Sequence, residues 1–163
     1  MRLRRPAMPL RRPASLLATW FGVGLLPYAP GTWASLAALP LAWALAEIGG
    51  GWALAAAAAV LTLVGCWASE VYVRRSEIDD PGDIVIDEVA AQLLVLAPVA
   101  GEPWLFPVGF LVFRILDVAK PWPASWADRK LGGGVGVMAD DLLAAGYGAA
   151  IMAALAPLFA GGS

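Results

Sequence analysis

Acidic side chains in this sequence gather where they could hold a hard cation. Eight of its thirteen Asp and Glu residues fall in two groups: Asp79, Asp80, Asp83, Asp87 and Glu88, then Asp117, Asp140 and Asp141. Asp87-Glu88 runs directly into an apolar segment, with Gln92 one turn on, and Asp140-Asp141 runs into another. Asp83 and Asp87 are four apart, so on a helix they share a face and repel unless something positive lies between them. Acids at a helix start also complement the macrodipole and cap free N–H groups, an ordinary role open to Asp83 and Asp140. For Asp87, Glu88, Asp117 and Asp141, ionised groups at the mouth of an apolar bundle call for a partner. Mg²⁺ suits such a set, because it takes one or two carboxylates plus waters and phosphate oxygens. With no His and one Cys, the chain offers mainly oxygen ligands, which disfavours zinc and copper.

Cations stand beside these acids. Arg114, Asp117 and Lys120 are spaced by three, within one sector of a helix. A cation, an acid and a cation on one face suit a metal-bound phosphate, with Asp117 on the metal and Arg114 and Lys120 on the remaining oxygens. A surface ladder of ion pairs is the alternative. Pro121 and Pro123 stop the helix there. Next comes Arg129-Lys130-Leu131 and then Gly132, Gly133, Gly134 and Gly136, four glycines in five residues. This run is expected to be a flexible loop whose N–H groups approach an anion. It is not a Walker loop, since no Lys-Ser/Thr follows. Asp128 sits in an ordinary polar turn and is set apart from the acidic groups. Pro30-Gly31-Thr32 opens an apolar segment, with Thr32 as an N-cap or a phosphate ligand.

The elements that must carry these residues are apolar. Of the 163 residues, 60% are hydrophobic and 15% charged, which excludes a disordered chain, a coiled coil and a basic nucleic-acid binder. No charge occurs between Arg12 and Glu47, between Glu47 and Glu70, or after Asp141. These gaps can hold helices that cross a bilayer: Trp33 to Ile48, Gly51 to Ser69, and Leu142 to Ala160. A fourth apolar region, Val89 to Phe113, is broken at Gly101-Glu102-Pro103 and reads as a helical hairpin with arms short for a full crossing. Two hairpins put all eleven Lys and Arg residues on one side, which the positive-inside rule assigns to the cytosol. The expected fold is therefore all-α: a membrane-embedded helical bundle of hairpins with charged cytosolic loops. Residues 1–18 form a flexible basic arm drawn to anionic headgroups, rather than a cleaved signal, and 19–160 a single helical domain.

Taken in order, four segments resemble the phosphatidylglycerophosphatase A family: Gly22-Val23-Gly24 through Pro30-Gly31-Thr32; Ile84-Val85-Ile86-Asp87-Glu88; Phe113 through Pro123; and Gly133 through Asp141. The resemblance covers about Gly22 to Gly148. Ala34, Ala91 and Leu116 depart from the family's usual residues, while the acids and cations of the motifs are intact. The resemblance implies a helical-bundle, Mg²⁺-dependent membrane phosphatase that converts phosphatidylglycerophosphate to phosphatidylglycerol and phosphate in bacterial phospholipid synthesis. It implies a multi-pass enzyme of the inner membrane whose active site faces the cytosol. On this reading Asp87, Glu88, Asp117, Asp140 and Asp141 hold the metal. Asp87, Glu88, Asp117, Lys120 and Asp141 carry catalysis, and Thr32, Arg114, Lys120, Arg129, Gly133 and Gly134 bind the substrate phosphate.

Two rivals remain at this point. One keeps the metal site and changes the substrate to another polar-lipid or prenyl phosphate. The other is a small membrane transporter, which would place facing charges at the membrane midplane rather than at helix ends on one side. A CDP-alcohol phosphatidyltransferase needs an Asp-Gly followed closely by Ala-Arg, a Cys-dependent phosphatase needs Arg six residues after its Cys, and an acid-phosphatase-like lipid enzyme needs His. The sequence has none of these.

Overall fold

A computed structural model describes residues 8–76 and 81–159. Among them are six α-helices and no strand: α1 (Pro13–Ala18), α2 (Pro30–Ser76), α3 (Ile86–Leu96), α4 (Phe106–Ala119), α5 (Ala124–Lys130) and α6 (Gly133–Phe159). The all-α expectation holds.

The 47-residue α2 is broken at Gly49 and Gly50, where the backbone leaves helical geometry. Gly50 has φ +57°, a left-handed conformation that glycine adopts without a Cβ penalty. Three close approaches to α3 show that the two arms run in opposite directions. Gly31 lies against Glu88 at the start of α3, Gly51 against the Ala97 carbonyl just past its end, and Gly65 against Ile86 at its start again. The first two apolar stretches thus form the expected hairpin. The second arm continues to Ser76, seven residues past its predicted end.

α3 is the centre of the bundle. Its Val89, Ala90, Ala91, Leu93, Val95 and Leu96 are buried, enclosed by α2, α4 and α6. Two 3-10 turns, Ala97–Val99 and Pro103–Leu105, join it to α4. At 1.5 Å per residue, 11 and 14 residues give arms of about 16 and 21 Å. Both fall short of a hydrocarbon core of about 30 Å, as expected for this second hairpin.

Among the described residues, α2 and α6 are long and apolar enough to cross a membrane by length and composition. Only 17% and 22% of their most apolar windows are buried inside the chain. Most of that apolar surface therefore faces outward, unlike the core helix of a soluble domain.

Three local expectations are corrected. The glycine run is not a loop, because Gly133, Gly134 and Gly136 form the first turn of α6, nine residues ahead of the predicted start at Leu142. The glycines serve contact: a Cβ at Gly134 would lie 2.2 Å from the Cys66 carbonyl oxygen and 2.4 Å from the Glu70 nitrogen, so only glycine lets α6 approach α2 there. Asp83 does not share a helical face with Asp87, because α3 begins at Ile86, and its carboxylate accepts the Tyr72 hydroxyl at 3.2 Å. Finally, α2 starts at Pro30, so Thr32 lies inside the first turn instead of capping it.

Within the predicted basic arm, Arg11 and Arg12 are exposed, while Met8, Ala14, Ser15 and Ala18 are buried. Met8, Ala14 and Ala18 pack with Tyr72, Ile84 and Ile86. Arg2, Arg4 and Arg5 lie outside the described residues, as does Ala160 at the predicted end of the last span.

Candidate metal and phosphate site

The site forms where the start of α3 meets the end of α4 and the first half of α6. Val85 donates its N–H to the Ala18 carbonyl at 2.9 Å, which ties the entry of α3 to α1. The next turn carries Asp87 and Glu88, whose charges face the positive end of the helix dipole. α6 brings Asp140 and Asp141, and α4 brings Asp117 and, at its left-handed end (φ +41°), Lys120. A cavity of about 230 Å³ is lined by Asp87, Glu88, Asp117, Lys120, Asp128, Asp140 and Asp141, together with Gly132, Gly133 and Gly136. At roughly 30 Å³ per water, that is room for a phosphoryl group, an ion and a few waters, and not for an acyl chain.

Asp87, Glu88 and Asp141 each bring an oxygen to within 4.8 Å of the other two. Each also has a buried carboxylate oxygen without a hydrogen-bond partner: Oδ1 of Asp87, Oε2 of Glu88 and Oδ2 of Asp141. Buried polar atoms are nearly always paired, and unpaired buried charge is costly. Three such oxygens on one cavity fit a bound cation, and all being hard donors, they fit a hard one. Burial raises the pKa of Asp87 well above the ordinary Asp value, and the neighbouring charges of Glu88 and Asp141 add to it. Burial also raises Glu88, with Asp117 adding to the shift, while its hydrogen bond with Asp87 and the Arg114 guanidinium oppose it. Without a cation, this cluster holds protons more readily than free carboxylates do.

The cations are paired. Arg114 Nη1 meets Asp117 Oδ2 at 2.6 Å. Lys120 Nζ bonds Asp140 Oδ2 at 2.5 Å and also Asp128 Oδ1. Burial alone would lower the pKa of Lys120, but the two carboxylates outweigh it and hold the ammonium charged above its ordinary range. Of the two readings left open by the Arg114–Asp117–Lys120 spacing, the structure keeps the first link of the ladder and swings Lys120 away to the cavity.

The structure therefore places Asp87, Glu88, Asp117, Lys120, Gly133, Asp140 and Asp141 on one cavity, with Arg114 one ion pair behind it. Thr32 does not line it, but adjoins it through Gly31, where a Cβ would lie 1.9 Å from Glu88 Oε1. Arg129 is exposed on α5 and outside the lining. Gly134 is also outside, because its N–H donates to Glu70 Oε2 at 2.7 Å and is not available to an anion.

Two residues were not legible as part of the site. Asp128 lines the cavity and anchors Lys120. Its only sequence signal is the double-proline stop after Lys120, which folds α5 back. Glu70, on the second arm of α2, holds the first turn of α6 from 64 residues away, and no local pattern marks it.

Comparison with known proteins places the chain in a family. The sequence model of the family described as Phosphatidylglycerophosphatase A matches residues 16–156. Phosphatidylglycerophosphatase A of Escherichia coli (strain K12) is 35% identical over 147 residues, covering 89% of this chain and 84% of that protein. Its namesake from Haemophilus influenzae is 37% identical, covering 90% of each. A Bacteroides thetaiotaomicron protein, provisionally named a phosphatidylinositol-3-phosphatase, is 33% identical over 148 residues, covering 85% of this chain and 92% of that protein. No solved structure matches the chain. The match spans nearly the whole described bundle and every acid of the cavity, and the chain belongs to the phosphatidylglycerophosphatase A family.

Proposed function

We propose that this chain is a lipid phosphatase that hydrolyses phosphatidylglycerophosphate to phosphatidylglycerol and phosphate, using Mg²⁺. The observation that carries this reading is the trio of buried, unpartnered carboxylate oxygens of Asp87, Glu88 and Asp141 on one cavity, in a chain of this family. Asp87, Glu88 and Asp141 hold the cation, and Asp117 and Asp140 complete its surroundings. A Mg²⁺ ion held by these residues would lower the pKa of a water and would offset charge on the phosphoryl oxygens.

The chain's own groups do the rest. Lys120, held charged between Asp128 and Asp140, faces the cavity as the group that neutralises a phosphoryl oxygen. To do so it exchanges one carboxylate for the substrate. Arg114 fixes Asp117 and supplies positive charge behind it. Asp140, which lines the cavity outside the trio that holds the cation, is the base that takes the proton of the attacking water once Lys120 turns to the substrate. Water's oxygen bonds to phosphorus as the bond from phosphorus to the glycerol oxygen breaks, and the proton taken by the base passes to the leaving glycerol oxygen.

The enzyme sits in the bacterial inner membrane with the cavity on the cytosolic side, where the exposed Arg74, Arg75, Arg129 and Lys130 also lie. Residues 19–160 form the phosphatase domain. Phosphate release from phosphatidylglycerophosphate in detergent, with Mg²⁺ or with chelator, tests the reading; no release with Mg²⁺ overturns it. The provisional name of the Bacteroides relative makes phosphatidylinositol 3-phosphate the comparison substrate.

A further inference from the structure

The site cavity is too small for acyl chains, so a diacyl substrate has to lay its tails along the outside of the bundle. A separate apolar hollow lies away from the acids, between the first arm of α2 and the start of α4, and shares no lining residue with the site cavity. This hollow, of about 480 Å³, is formed by Leu39, Pro40 and Trp43 of α2, by Trp104 of the 3-10 turn before α4, and by Phe106 and Pro107 of α4. The indole N–H of Trp43 bonds Glu47 at 3.2 Å and that of Trp104 bonds Glu102 at 2.8 Å. The polar edges of both rings are thus satisfied and their carbon surface forms the wall.

The helix faces that build the hollow continue to the acids. Thr32, Leu36, Leu39 and Trp43 fall at i, i+4, i+7 and i+11, one stripe of α2. Its lower end adjoins Gly31, against which Glu88 packs. On α4, Pro107, Phe110, Arg114 and Asp117 form the matching stripe, and Asp117 lines the cavity. The two stripes agree in depth. Leu39 and Trp43 lie about 10 and 16 Å beyond Thr32, and Pro107 about 15 Å beyond Asp117, at 1.5 Å per residue. One leaflet of a hydrocarbon core of about 30 Å is also about 15 Å deep.

We propose that the α2–α4 crevice is the acyl-chain subsite. One fatty chain of a phospholipid phosphomonoester lies along it, and its terminal half occupies the hollow between Trp43 and Trp104. This assignment rests on the lipid-phosphatase reading. A second apolar hollow, beside Pro123, Leu143 and Tyr147, is the competing seat.

Two measurements on the full chain separate the possibilities. In the first, Leu39→Trp fills the hollow far from the acids, and kinetics are compared on dioleoyl and dihexanoyl phosphatidylglycerophosphate. The expected result is a KM for the dioleoyl substrate raised about tenfold, with kcat and the dihexanoyl kinetics unchanged, the signature of lost uniform binding. An equal effect on both substrates, or none on either, overturns the proposal. In the second, dioleoyl-type phosphatidic acid with a photoactivatable group at a chain end is crosslinked to the wild-type protein in nanodiscs, which needs no turnover. Label on the peptides of Leu39–Trp43 and Trp104–Pro107 supports the subsite, and label around Tyr147, or spread evenly, overturns it. Wild-type protein that labels at the crevice yet releases no phosphate fails the phosphatase reading alone.

Discussion

Replacing Asp87 by Asn should inactivate the protein while making its metal-free form more stable. The side chain keeps its shape and loses its charge. In the metal-free cluster, Asp87, Glu88 and Asp141 approach one another within 4.8 Å, where two full charges repel by roughly 3.5 kcal/mol at an effective dielectric constant of about 20. Asp87 faces two such neighbours. The repulsion is partly relieved by bound protons, as the raised pKa values of Asp87 and Glu88 require. The amide therefore recovers a fraction of it, about 1–3 kcal/mol, or a rise in Tm of roughly 3–10 °C for a chain of this size. The assay is thermal unfolding in detergent with chelator near neutral pH, repeated with Mg²⁺. Wild-type protein should gain stability from Mg²⁺ by mass action, and Asp87→Asn should lose most of that gain. Phosphate release should fall more than about a hundredfold, since losing a partner one shell further from a metal already costs about 10–100-fold. The reasoning is refuted if Asp87→Asn unfolds at lower temperature than wild type in chelator, or keeps normal turnover.

Further outcomes follow from the same geometry. Gly31→Ala puts a methyl 1.9 Å from Glu88 Oε1, so Glu88 must move; activity should drop at least about tenfold with the helical circular dichroism intact. Gly134→Ala drives a methyl into the backbone at Cys66 and Glu70, and should lower Tm by the equivalent of about 1–3 kcal/mol, measured by thermal unfolding. Asp128→Asn removes one of the two anchors of Lys120 and should raise KM in phosphate-release kinetics more than it lowers kcat, whereas Lys120→Ala should lower both. The pKa values of Asp87 and Glu88 are raised above unfolded values of about 3.9 and 4.3, so the metal-free folded state binds protons more tightly than the unfolded chain. Their contribution to stability is full below about pH 4 and is lost as pH rises through the raised values. The stability gained from Mg²⁺, read as the Tm difference with and without the ion, should accordingly be larger at about pH 8 than at about pH 5.

Charge-free gaps made the helices legible, because a long apolar run has few alternatives once it must satisfy its own backbone. The hairpin at Gly49-Gly50 and the short second hairpin were readable for that reason. The acids were readable as a set because their types and positions at helix starts limit their chemistry. What composition hid was the use of small residues. A run such as Gly132 to Gly136 reads locally as a loop, since glycine costs a helix about 1 kcal/mol against Ala. Contact with Cys66 and Glu70 overrides that propensity, and contact across the bundle leaves no local trace. Asp128 was missed for the same reason, because its partner Lys120 is reached through a turn of the chain and not through a helical repeat.

The cavity and the glycines are two sides of one requirement. Carboxylates from α3 and α6 converge only if their helices come close enough for both to reach one ion, and close approach demands residues without bulk at the crossing. Gly134 provides it for α6 against α2, with Glu70 capturing the freed N–H, and Gly31 provides it for α2 against Glu88. Each contact sits within one or two turns of an acid. The acids repel one another in return, so the bundle must hold them together by apolar packing, with α3 buried along its length. Widening either glycine contact relaxes that repulsion at the expense of the cation site. Variants at Gly31 and Gly134 should therefore weaken Mg²⁺-induced stabilisation more than a substitution of equal bulk on an outward face, such as Ala150→Leu, because only the first two change the distance between the ligands.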